Sequence, residues 1–343
     1  MKRQSESFHI HEYFLFSAVM LAVLILCICT GSVGIPVWET IRVIGRALLG
    51  LPMDGSNSAA IILAVRLPRV LCVGLVGASL SLCGGAMQGL LKNPLADGST
   101  LGVSSGAALG AVLAIAFGIT IPGLPFVGTM SMAVLFAFLS LVIILSLAYR
   151  LDASLSTHTI ILIGVIFSMF VSSIMSLVVT FASDKVKHIT FWLMGSLQGS
   201  SYGNAMVLLA ALLLFGGIIL RYARELNAFA LGEDNARSVG VPVKTVKLGI
   251  LICVSALIGV AVSISGTIGF VGLVTPHMVR MIVGPNHRRL LPASLMGGAT
   301  FLMLADLIAR VLLNPLELPI GVVTSFIGSI VFIVIFYASR KGA

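Results

Sequence analysis

The strongest constraint on this chain is a succession of apolar stretches, many about twenty residues long, joined by short polar connections. A helix needs about 20 mainly apolar residues to cross the hydrocarbon core of a bilayer. On that criterion the sequence predicts ten spans, near 14–33, 60–91, 101–120, 126–148, 158–181, 204–222, 246–267, 268–283, 291–313 and 318–338. The eighth is short, and the second is overlong with polar residues near its end. So little of the 343 residues lies between spans that no separate globular domain fits, and 1–343 reads as one all-α, polytopic transmembrane domain. Composition agrees: 10% of the residues are charged, against about 25% in soluble domains.

The net charge of +9 does not indicate nucleic acid, because the basic residues sit at the ends of apolar runs. Their placement is topological. With an even number of spans both termini lie on one side, and that side then carries fourteen of the 21 Lys and Arg residues, including Lys2 and Arg3. This two-to-one bias places both termini in the cytoplasm. The basic, polar start before the first apolar run is expected to precede a retained first helix rather than a cleaved signal peptide.

Glycine is abundant inside the spans. Gly85 and Gly89 are four apart, as are Gly102, Gly106 and Gly110, a spacing that lets helix backbones approach closely. Gly266, Gly269 and Gly272 recur across the junction of spans seven and eight, with Pro276 following, and predict an interrupted helix there. Tight packing is the expected role of these glycines rather than ligand contact.

Several chemistries have no support. All five cysteines lie in apolar segments without zinc or disulfide spacing, and no histidine pair has H-x-x-x-H spacing, so no metal site is expected. Span centres are almost free of ionisable residues, which argues against coupling to an ion gradient. The Asp306 and Arg310 pair, one helical turn apart, reads as structural. No G-x-x-x-x-G-K-[ST] phosphate loop occurs, so uphill pumping driven by ATP requires another subunit.

Such a subunit needs a contact surface, and the longest expected cytoplasmic loop, about 225–241, offers one. Asn227 is expected to cap a short helix ending near Gly232, and a second helix is expected from Glu233 to a stop at Gly240. The protrusion would combine apolar Phe229, Leu231 and Val239 with charged Glu233, Asp234 and Arg237. An amphipathic loop lying on the membrane is the alternative. On the other side, Arg66 and Arg69 open span two and Arg310 ends span nine. They either snorkel to lipid headgroups or form a basic rim that meets carboxylates of a docking protein.

Seven motifs in order carry a resemblance: Arg66-Leu-Pro-Arg-Val-Leu71, Gly85-Ala-Met-Gln-Gly-Leu-Leu-Lys-Asn-Pro-Leu-Ala96, Leu101-Gly-Val-Ser-Ser-Gly106, Leu231-Gly-Glu-Asp234, Gly266-Thr-Ile-Gly-Phe-Val-Gly-Leu-Val-Thr-Pro-His277, His287-Arg-Arg-Leu-Leu-Pro292 and Glu317-Leu-Pro-Ile-Gly-Val-Val323. Over nearly the whole chain, from Gly31 to Tyr337, it resembles the iron-siderophore, haem and vitamin B12 importer permeases (FecCD) of the ABC transporter superfamily. The resemblance implies a ten-helix type II ABC importer permease in the cell membrane, working as a homodimer with its pathway on the two-fold axis. It implies two ATP-binding subunits beneath, which use ATP and Mg, no cofactor in this chain, and a substrate-binding protein outside.

The resemblance also assigns residues. Asn227, Phe229, Leu231, Gly232, Glu233, Asp234, Arg237 and Gly240 fall in the coupling helices received by the ATPase. Arg66, Arg69 and Arg310 match the outer arginines that meet acidic residues of the binding protein. Ser156, Thr157 and His158 fall at the cytoplasmic gate, where His158 replaces a small hydroxyl residue of the vitamin B12 permease. Gly98 stands where the family commonly has proline, and a more flexible loop is expected there. Alternating access would pass a bulky metal chelate down the dimer axis, iron-siderophore being the expected cargo, with haem, vitamin B12 and oxyanions open. An ion-coupled secondary transporter is the alternative class.

Overall fold

The computed structural model describes residues 10–31, 34–52, 56–121, 125–153 and 155–341; Lys2 and Arg3, used in the charge count, lie outside them. The described residues form a helical bundle. Helix α1 is Ile10–Cys29, and α2, Val37–Leu48, is an amphipathic helix between the first two spans. The long α3 runs Asn57–Leu91, followed by α4 (Val103–Phe117), α5 (Pro125–Leu151) and α6 (Thr157–Phe181). Short α7 (Val186–Leu193) precedes α8 (Tyr202–Arg221). Two small helices, α9 (Ala223–Leu231) and α10 (Glu233–Ser238), lead into α11 (Val243–Ser265), α12 (Val271–Val283), α13 (His287–Val311) and α14 (Ile320–Lys341).

Among the described residues, seven helices are long and apolar enough to cross a membrane, and three shorter apolar ones, in α4, α12 and α14, complete the ten expected crossings. Their ends follow local chemistry. Ser56, Ser156, Ser201 and Asn286 each cap a helix by accepting a backbone N–H at its first turn. Helix α3 stops where Lys92 turns left-handed ahead of Asn93-Pro94, and α4 stops at left-handed Gly118.

Helix α3 is the axis of the fold, packed along α11, α12 and α13. The glycine spacing has the role expected of it. A Cβ on Gly84 would lie 1.8 Å from the Gly272 carbonyl oxygen of α12, and one on Gly77 would lie 2.3 Å from the Gly298 oxygen of α13. Gly106 and Gly110 seat α4 on α5 in the same way, against Ser140 and the Met132 carbonyl. All five cysteines are buried and free, as apolar filling would require.

The interrupted helix is also present. Between α11 and α12 the chain is non-helical from Gly266, at φ +67°, to Phe270. Its polar groups are taken up by neighbouring segments: Ser196 N–H donates to Ser265 O at 2.8 Å, and the Thr267 hydroxyl donates to Leu193 O. Broken backbone inside a membrane bundle is sustained only by such replacement partners.

The loop after α3 departs from expectation. Gly98 is buried, and a Cβ there would lie 2.1 Å from Ile258 Cδ1 of α11, so glycine allows close packing rather than extra freedom. The loop folds back into the bundle. Asp97 reaches the level of Gly272 and hence of Gly84, seven residues and about 10 Å above the end of α3.

Candidate functional site

Two polar clusters occupy opposite ends of the bundle, and the assigned residues divide between them. At the first end, α3 widens into a π turn, Ile61–Arg66, whose last residue projects its side chain toward the end of α1. Arg66 is 6% exposed, and its Nη1 donates to Ile28 O at 2.8 Å and Cys29 O at 3.0 Å. Arg310 donates from Nη1 to Thr30 O and from Nη2 to Cys27 O, and from Nε to Asp306 Oδ2 at 2.9 Å. The last carbonyls of a helix lack internal partners and carry its negative dipole end, so two guanidinium groups here satisfy both needs.

Arg69 completes the cluster. Its Nε and Nη2 lie 3.1 and 2.9 Å from Asp306 Oδ1, and its Nη1 lies 2.8 Å from Glu317 Oε2. Gln198, in the loop before α8, donates to the same Glu317 oxygen at 2.6 Å. Burial alone would raise the Glu317 pKa, but the hydrogen bonds from Gln198 and Arg69, with the nearby arginine charges, hold it below the ordinary carboxylate range.

The structure therefore brings Arg66, Arg69 and Arg310 together, but Arg66 and Arg310 do not snorkel. They are buried because α1, α3 and α13 converge on Asp306. Asp306 reaches both Arg310, one turn away, and Arg69, 237 positions away in sequence.

At the opposite end lie the hairpin α9–α10 and the start of α6. The two-helix protrusion exists, hinged at Gly232 with φ +125° and closed at Gly240 with φ +85°. Two details differ from the sequence reading. Asn227 does not cap a helix: α9 begins at Ala223, and Asn227 lies in its middle. Its side chain instead joins α9 to the start of α13, with Oδ1 accepting from His287 N at 2.8 Å and Nδ2 donating to Asn286 Oδ1 at 2.8 Å. Phe229 is not displayed; it is fully buried with Leu226, because the apolar stripe of α9 faces the bundle. The exposed apolar tips are Leu231 (74%) and Val239 (72%), and Asp234 and Arg237 pair on the surface between them.

Glu233 turns inward. Its Oε1 accepts from Lys247 Nζ at 2.7 Å and from Thr157 Oγ1 at 3.3 Å. Lys247, on α11, is completely buried, and its ammonium also donates to Leu155 O at 2.8 Å. Ser156 caps α6, while His158 on the next turn position is exposed. Arg289 of α13 pairs with Glu12, which places the beginning of α1 at this same end.

Two residues escaped sequence reasoning. Lys247 enters the sequence reading only as one of the fourteen basic residues of the cytoplasmic side, although it lies inside the predicted span 246–267. Asp97 was assigned to a connection, yet it lines a cavity of about 220 Å³ with Ser104, Thr267 and Gly272, beside the break before α12. The bundle interior is thus less free of ionisable groups than the spans indicated. Among the described residues no group of three His, Cys, Asp or Glu side chains could hold a metal.

Residues 19–338 match the model of the FecCD transport family. Three relatives align over most of their length. The ABC transporter permease protein YvrB of Bacillus subtilis (strain 168) is 42% identical over 96% of this chain and 93% of its own. The cobalamin import permease BtuC of Halobacterium salinarum is 36% identical over 88% and 79%. The molybdate import permease MolB of Haemophilus influenzae is 37% identical over 82% of each. A solved inward-facing structure of a putative metal-chelate type ABC transporter superposes with a TM-score of 0.84, at 31% identity, covering 96% of this chain and all of that one.

Proposed function

Since this chain belongs to the FecCD transport family of ABC importer permeases, a transport subunit and not an enzyme, we propose that it forms the membrane pathway for a metal chelate, with an iron-siderophore as first choice of cargo. Two copies would enclose the pathway on their common axis. Two ATP-binding subunits would hydrolyse ATP with Mg, and a binding protein outside would deliver the cargo. The hairpin end would be cytoplasmic, with both termini on that side.

The observation that carries this reading is the hairpin tip. Leu231 and Val239 hold apolar side chains in the open beside a surface Asp234–Arg237 pair, at the end opposite the arginine cluster. Exposed apolar groups ringed by charge mark a protein contact. Gly232 and Gly240 shape that protrusion, while Asn227 and Phe229 anchor it. Ser156, Thr157 and His158 would form the gate above it. Relatives of similar identity are named for cobalamin and for molybdate, so overall identity does not select the cargo.

The test is uptake by proteoliposomes containing the permease, its ATPase subunits and binding protein, offered ferrichrome, haemin, cyanocobalamin and molybdate in turn. ATP-dependent uptake of a chelate, unchanged by a protonophore, is expected. Collapse by the protonophore with indifference to ATP would establish a secondary transporter, and uptake of molybdate alone would remove the chelate assignment.

For the outer end, the proposal is that Arg66, Arg69 and Arg310 together form the seat for carboxylates of the binding protein. Arg69 would be the accessible member, and Glu317 its resident partner until docking. Arg69→Ala should then weaken binding-protein affinity about tenfold at low salt, the effect shrinking as salt rises. Glu317→Gln should strengthen it by releasing Arg69. Surface plasmon resonance across a salt series checks both, and opposite signs for the two variants are the required outcome.

A further inference from the structure

Lys247 is a fully buried cation that the transport reading does not use. A charge taken out of water is costly unless it is paired and hydrogen-bonded. Here the ammonium is held between two segments that belong to different working parts. One partner is the carboxylate of Glu233, the first residue of α10, directly after the Gly232 hinge. The other is the carbonyl of Leu155, which turns left-handed at φ +54° immediately before the Ser156 cap of α6. Thr157, the first residue of α6, donates to the same Glu233 oxygen. One ammonium and one carboxylate therefore join the hairpin, the turn that starts α6, and α11.

The two halves of the hairpin are fastened differently. Helix α9 is anchored by buried Leu226 and Phe229 and by the Asn227 bonds to α13. In α10 the remaining side-chain bonds stay inside the hairpin: Asn235 to Leu231 O, Ser238 to Asp234 O, and Arg237 with Asp234. Among the described residues, the polar connection of α10 to the gate turn passes through Glu233. An ion pair suits such a connection because charge attraction away from bulk water falls off slowly with distance.

We propose that the Glu233–Lys247 pair is the mechanical tie that carries movement of the coupling hairpin to the start of α6. Lys247 and Glu233 are positioning residues for the gate and do not touch the cargo. This inference rests on the permease reading above, and goes beyond it by separating residues that face the ATPase (Leu231, Asp234, Arg237, Val239) from one that faces the gate (Glu233).

The experiment uses the full complex in proteoliposomes, with a bimane fluorophore on a His158→Cys permease to report the start of α6 independently of cargo. ATP hydrolysis is measured in the same samples. Lys247→Met should leave hydrolysis within about twofold while lowering the ATP-driven fluorescence change about tenfold. Lys247→Arg should restore most of the response. The exchange Glu233→Lys with Lys247→Glu should respond better than either single variant; retained hydrolysis beside a lost fluorescence response is what a merely structural defect would not produce. If Lys247→Met fails to assemble, Glu233→Gln, which keeps the acceptor and removes its charge, decides in the same way. A Lys247→Met or Glu233→Gln complex that keeps the full response overturns the tie. Parallel loss of hydrolysis and response, without rescue by the exchange, also overturns it. A complex with only the fluorophore substitution that shows no ATP response overturns the permease reading as well.

Discussion

Asp306→Ala is expected to lower the unfolding free energy of the purified permease by about 3–5 kcal/mol, the usual cost of leaving buried charges without their partner. Asp306 is 1% exposed and gives one oxygen to each of two guanidinium groups, Oδ1 to Arg69 and Oδ2 to Arg310. Without it, Arg310 loses its carboxylate and Arg69 keeps only Glu317, with Arg66 close by, so the repulsion among the cations is less well offset. The damage would extend to α1, because Arg66 and Arg310 cap its last carbonyls. Asp306→Asn should fall between, since an amide keeps the shape and one acceptor but not the charge. Removing Arg310 together with Asp306 should cost less than the sum of the two single changes. Denaturant titration in detergent micelles measures all of these. A loss below about 1 kcal/mol for Asp306→Ala, the range of exposed pairs, would show that the cluster is not the buried staple described.

The second large effect concerns one methyl group. Gly84→Ala places a Cβ 1.8 Å from the Gly272 oxygen and 2.5 Å from its carbonyl carbon. Both are backbone atoms, which cannot turn aside as a side chain does, so α3 and α12 must separate. Overpacking of this kind costs about 1–3 kcal/mol, and more where backbone meets backbone. The contact borders the Asp97 cavity and the 266–270 break, so transport should fall further than stability alone would dictate. Gly217→Ala on α8 is the control, because nothing beyond the helix's own local backbone lies within 4 Å of the added Cβ. It should be neutral or stabilising by about 0.4–1 kcal/mol, from the lower entropy of the unfolded chain. Equal unfolding curves for Gly84→Ala and Gly217→Ala would refute the close approach.

What was legible in the sequence differs from element to element for identifiable reasons. The helix from Thr157 to Phe181 was placed within one residue, because a continuous apolar run has a sharp start and Ser156 caps it. The hairpin was found from Gly232 and Gly240, which punctuate the chain where left-handed turns are required. Its internal roles were not readable. Asn227 looked like a cap, since asparagine favours that position, but α9 begins four residues earlier and its Asn227 was needed by Asn286 and His287, about sixty positions away. Phe229 was expected among the apolar groups of the protrusion, yet the face it shares with Leu226 is the one that packs.

The opposite-end arginines show the same division. Their convergence on one side of the membrane followed from span counting. Their burial did not, because it depends on how α1, α3 and α13 meet. The order of motifs also carried the family resemblance, and the match over residues 19–338 agrees with it.

The sequence alone determined the bilayer as solvent, ten helical crossings, the likeness of this chain to importer permeases and its lack of a phosphate loop. These depend on hydropathy, length and short motifs, which act residue by residue and survive any arrangement of the helices. The tertiary structure decided which charges are spent internally: Asp306 between two arginines, Lys247 between the hairpin and the turn before α6, and Asp97 folded back into the bundle. A buried charge is stable only where partners from distant segments meet it in three dimensions, and no local pattern records that meeting.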